Sequence, residues 1–89
     1  MTDHDAKTLA QQALLARPGT PRAGQHYRHY KGGLYTVLAI SLREYDLEPQ
    51  VTYRSETYGT CWTRSLANFL EHVEPDCPRF ALEEEPPHA

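Results

Sequence analysis

The sequence predicts a mainly β fold: a small, bent antiparallel sheet of about five strands, with an N-terminal helix and a short helical turn before the last strand. Three observations predict it. Short runs rich in Tyr, Val, Ile and Thr recur between turn signals from Gln25 to Arg64. Gly32 and Gly33 separate two of these runs, where a tight hairpin needs positive φ. The apolar period changes to that of a helix only at Leu66.

Residues 2–16 read as a helix, because Ala6, Leu9, Ala10, Ala13 and Leu14 recur on one face. Thr2 and Asp3 are suited to cap its start, and Pro18-Gly19 ends it. Its stripe is narrow and Ala-rich, so it needs a docking surface to be stable. We expect it to be an appendage whose removal leaves the body folded. Residues 17–24 hold four Pro or Gly and read as a linker. Residues 25–31 and 34–43 form the predicted hairpin, residues 45–49 a turn, residues 50–57 a third strand, and residues 61–64 a fourth after a turn at Tyr58-Gly59-Thr60. Leu66, Phe69, Leu70 and Val73 then share a helical face that Ser65 caps and Pro75 stops. Residues 79–82 close the sheet. The natural compact form of such a chain is a Src-homology-3-like barrel. The expected organisation is therefore a helix and linker over residues 1–23, a β-rich domain over residues 24–82 and a disordered acidic, Pro-rich tail over residues 83–89.

At 89 residues the chain is one domain with a small core, and six Tyr, one Trp and two Phe must supply most of it. Net charge is −3, unevenly spread. Arg17, Arg22, Arg28, Lys31 and Arg43 occur with no acid among them, whereas six acids crowd residues 71–85 against Arg79 alone. That balance does not imply nucleic-acid binding through charge alone. No apolar stretch is long enough to span a bilayer, and no signal-peptide core follows Met1. The expectation is a cytoplasmic protein with no membrane partner, whose Cys61 and Cys77 stay reduced.

Tyr27-Arg28-His29-Tyr30-Lys31-Gly32-Gly33-Leu34-Tyr35 is followed by Tyr53, Tyr58-Gly59, Trp62-Thr63-Arg64, Phe69-Leu70 and Pro78-Arg79-Phe80. In this order the residues resemble the bacterial family catalogued as domain of unknown function sixteen fifty-three. The resemblance covers residues 24–82. Ser65 departs from it, since the family often has Pro after the Arg. The resemblance implies no activity and supplies no catalytic residue.

The run from His26 to Tyr35 holds two His, three Tyr, one Arg and one Lys. Such a run serves either as alternating core and surface positions, or as a binding face on which Tyr rings stack and Arg28 and Lys31 reach an anion. Trp62 and Arg64 share a strand face. They are either a core anchor and a covered cation paired with Glu56 or Glu71, or a stacking and anion-binding pair in an open groove. The first is the expectation, and under it Trp62→Ala unfolds or severely destabilises the protein while Arg28→Ala does not. His26 and His29 fall on opposite strand faces and do not make a zinc pair with Cys61 and Cys77. The leading functional reading is a non-catalytic binding module without cofactor or metal. Its candidate face holds Tyr27, Arg28, His29, Tyr30, Lys31, Tyr35, Trp62 and Arg64, and its ligand is single-stranded nucleic acid or a peptide of another protein. The alternative is a small enzyme using Cys61 or His29, which requires an exposed Cys61 thiolate beside a His.

Overall fold

A computed structural model describes residues 2–83. Helix α1 (Asp3–Ala16) precedes β1 (His26–His29), β2 (Leu34–Leu42), β3 (Pro49–Ser55), β4 (Cys61–Ser65), α2 (Leu66–Phe69), β5 (His72–Glu74), β6 (Cys77–Pro78) and β7 (Phe80–Glu83). Five strands form an antiparallel sheet in the order β4-β3-β2-β1-β7, and β5 and β6 pair separately. The sheet is bent but not closed: β4 and β7 are its two edges. The bent sheet, rather than the barrel, is the form this chain takes.

Register assigns the faces. Tyr27 lies opposite Tyr35 and Leu82, His29 opposite Phe80, Val37 and Trp62 opposite Tyr53, and Val51 opposite Ile40 and Arg64. Directly paired residues share a face, so these side chains all point to the inner side. Val37 and Ile40 differ by an odd number of residues and would face opposite ways in a regular strand. The register shift between Val37 and Ala39 removes the conflict, and both are buried. Leu14, Tyr27, Val37, Ile40, Val51, Tyr53, Leu66, Phe69 and Phe80 make one core. Its centre is aromatic: Phe69 and Phe80 stack at 4.2 Å, and Tyr27 meets Phe69 edge-on at 5.1 Å.

Helix α1 docks on the body. Leu14 is buried in the core, the Gln11 Nε2 amide donates to the Ile40 carbonyl at 3.1 Å, and the Thr20 hydroxyl donates to the Leu14 carbonyl at 3.0 Å. A capping box of Thr2 and Asp5 starts the helix, where Thr2 and Asp3 were expected.

The hairpin between β1 and β2 forms, although the two glycines divide the work expected of both. Gly32 takes φ +107°, while a Cβ on Gly33 would lie 3.0 Å from the Tyr35 ring. The helix expected over residues 66–73 stops at Phe69. The Glu71 carbonyl accepts from the Arg79 amide, and His72 pairs with Pro78. The chain is pulled extended there, leaving Leu70 exposed and Val73 half-buried. Glu83, expected in the tail, belongs to β7 and bonds Arg28; the remainder of the expected tail lies outside the described residues.

Candidate functional site

The sheet's inner side is not filled along its whole length. Phe69 and the side chains around it occupy one part. Beside them is a cavity of about 230 Å³ lined by His29, Tyr35, Tyr53, Trp62, Arg64 and Phe80. Every strand of the main sheet contributes to this lining. The sheet's curvature thus collects residues that are far apart in the chain.

Arg64 is the cation of this cavity. Its Nε donates to the Tyr53 hydroxyl at 3.1 Å, one Nη donates to the Asn68 side-chain carbonyl, and the guanidinium lies 5.6 Å from the centre of the Phe80 ring. All three partners are neutral. Neither Glu56 nor Glu71, the expected counter-ions, is available: Glu56 accepts from Thr36 and pairs with Arg54, while Glu71 pairs with Arg79. Among the described residues five of the nine Lys and Arg side chains are in ion pairs, and Arg64 is not one of them. Arg17, Arg22 and Lys31 are unpaired too, but they are exposed and do not line the cavity. Among the described residues the second Arg64 Nη has no hydrogen-bond partner, and it is not a buried unsatisfied atom, which leaves its donors open to solvent.

Trp62 corrects the sequence expectation. It is 54% exposed and outside the core. Strand β4 is an edge, and Phe69 and Phe80 occupy the centre that Trp62 was expected to fill. The Trp62 ring makes no ring contact among the described residues, in contrast to the nine ring pairs formed by other aromatic side chains.

His29 Nδ1 accepts the Lys31 backbone N–H at 3.2 Å, so the neutral ring carries its proton on Nε2. Burial holds the His29 pKa below the ordinary imidazole value, and the charges of Arg64, Arg79 and Lys31 push it the same way. Tyr30 stands at the rim, 44% exposed, with its ring 4.6 Å from His29 and the Lys31 ammonium 5.7 Å from its centre.

His29, Tyr35, Trp62 and Arg64 therefore meet at one cavity, with Tyr30 and Lys31 beside it. Two other candidates are placed elsewhere. Tyr27 is buried in the core, where desolvation raises its phenol pKa, and it has no ring face to offer. Arg28 is on the outer face, held by Glu83 at 2.7 and 3.0 Å and by the Gly32 carbonyl at 2.9 Å. Sequence reasoning missed Tyr53, Asn68 and Phe80 as parts of the site. The register places Tyr53 opposite Trp62, and Asn68 follows Arg64 by four residues, on α2.

Residues 25–82 match the model of the family described as protein of unknown function (DUF1653). No curated protein and no solved structure matches the chain.

Proposed function

The chain belongs to the DUF1653 family, and we propose that it is a non-catalytic binding module whose cavity receives an oxyanion-bearing group of its ligand. One observation carries this reading. Arg64 is held in place by neutral groups, in an aromatic cavity with an open Nη and no carboxylate in the lining. A half-buried cation without a counter-ion costs stability unless something else is gained. A bound anion supplies the missing charge. The lining has the donors for it: the Arg64 Nη, the His29 Nε2–H, the Trp62 indole N–H and the Tyr35 hydroxyl.

The strand register disfavours one form of the small-enzyme alternative, a Cys61–His29 pair, although Cys61 is exposed as that alternative requires. Cys61 lies opposite Arg54 on the outer face, whereas His29 is on the inner face, so the strand register separates thiol and imidazole. The proposed location is the cytoplasm, where the free Cys61 and Cys77 would stay reduced. No helix among the described residues is long and apolar enough to cross a membrane.

The test is an NMR titration of the full chain with sodium phosphate and with sodium acetate. The Trp62 indole and His29 ring resonances should move together and saturate, and Arg64→Gln should abolish the response. Spectra that ignore both anions, in a protein shown to be folded, overturn the reading.

A further inference from the structure

The cavity has two halves that a single ligand could satisfy together. One is a charge site, the open Nη of Arg64 with the donors around it. The other is a bare ring. Trp62 lines the same cavity, is more than half exposed and stacks on no ring among the described residues. Trp62 and Arg64 are alternate residues of β4 on one face, so their backbone positions are roughly 7 Å apart. A planar ring joined to an oxyanion through a short linker matches this pair. A base joined to its phosphate through one sugar is such a unit.

The charge pattern limits how many such units bind. An extended strand is held by a track of cations that neutralise successive phosphates. Here Lys7, Arg28, Arg43, Arg54 and Arg79 are already paired with carboxylates. Beside the cavity only Lys31 adds an unpaired charge, among the described residues. The cavity is also smaller than the usual ligand pocket. Resting on the anion-site reading above, we infer that the ligand is a nucleotide unit bound singly: one base on Trp62 and one monophosphate on Arg64, presented by a free nucleotide or by the phosphorylated end of a strand. A polynucleotide laid along the sheet is not what this surface fits.

The full chain would be titrated with adenosine 5′-monophosphate, adenosine, inorganic phosphate, oligoadenylates with and without a terminal phosphate, and a short peptide ending in a free carboxylate. Binding is read from the His29 and backbone amide resonances. Adenosine 5′-monophosphate should bind about tenfold more tightly than phosphate, within the range of one base's stacking contribution, and more tightly than adenosine, which has the base but no charge for Arg64. Affinity should fall only shallowly with salt, because a single phosphate contact lacks the counterion release that makes strand binding steeply salt-dependent. Trp62→Ala should remove the advantage over phosphate, and Arg64→Gln the advantage over adenosine. Because Arg64 also holds Tyr53 and Asn68, the Trp62 variant keeps the inference testable if the Arg64 variant fails to fold. An oligonucleotide preferred only when its end is phosphorylated assigns the unit to a strand end, and equal affinity of the free nucleotide assigns it to a small molecule. Affinity that grows with strand length and a steep salt slope would overturn the inference. So would tighter binding of the carboxylate peptide, or phosphate binding as well as the nucleotide. In each of these cases the anion site itself survives; absence of any response to any anion removes both.

Discussion

The two faces of the sheet treat their cations in opposite ways. On the outer face Arg28 is clamped by Glu83 across strands β1 and β7, and Arg54 pairs with Glu56, which also accepts from Thr36. Each of those arginines has a carboxylate beside it that offsets its charge. On the inner face Arg64 is positioned just as firmly, but by a phenol, an amide and a ring. Neutral partners fix its geometry without cancelling its charge. A cation can be structurally satisfied and still electrostatically available, and only the second property makes a binding group.

The largest effect should come from the aromatic core. Phe69→Ala removes a fully buried ring stacked on Phe80, so it should cost about 3–5 kcal/mol in chemical denaturation. Trp62→Ala, by contrast, should shift stability by less than about 1 kcal/mol. The opposite order would return Trp62 to the core and close the cavity as a site. Next, Arg64→Ala should cost about 1–2 kcal/mol, because it leaves the Tyr53 hydroxyl and the Asn68 carbonyl without their partner. Arg28→Ala should leave the denaturation midpoint nearly unchanged, since its exposed ion pair is screened by water. If the two arginine variants behaved alike, the contrast between the faces would fail.

The smallest effect is the most specific. Arg64, Arg79 and Lys31 act on His29 together with its burial, so its folded-state pKa lies below the unfolded value of 6.5. The unfolded chain then takes up the proton first. The His29 contribution to stability is complete above pH 6.5 and declines as pH falls below it, until the folded-state pKa is passed. His29→Gln should flatten that part of the stability profile. A bound phosphate beside the ring acts in the other direction and raises the His29 pKa, so anion affinity should increase as pH falls through this range. An NMR titration of His29 with and without phosphate checks both signs. A His29 pKa unmoved by saturating phosphate would separate the ring from the anion site.

Much of the sheet could be read from local chemistry. Gly32-Gly33 marked the hairpin, alternation marked β3, and Ser65 marked the start of α2, whose Asn68 amide it caps at 3.1 Å. The end of α2 was not legible, because the pairing of β5 with β6 is a contact between segments and has no periodicity over such short strands. The candidate site was half legible. Parity along β4 put Trp62 and Arg64 on one side, but parity carries no information about whether a strand is central or an edge. That distinction decided the role of Trp62. Tyr35 and Tyr53 meet edge-on at 5.3 Å across neighbouring strands, which needed the register of β2 against β3 before either could be placed at the cavity.

Because β4 and β7 are both edges, no backbone ladder joins them. Among the described residues the Arg64 guanidinium beside the Phe80 ring is a contact that spans them. This makes the sheet a ribbon whose margins meet through side chains, with Phe80 also packed on Phe69 and Tyr53, instead of through a seam of hydrogen bonds. On the reading proposed above, the ligand sits where the two margins of the ribbon meet, and it touches both ends of the sheet at once.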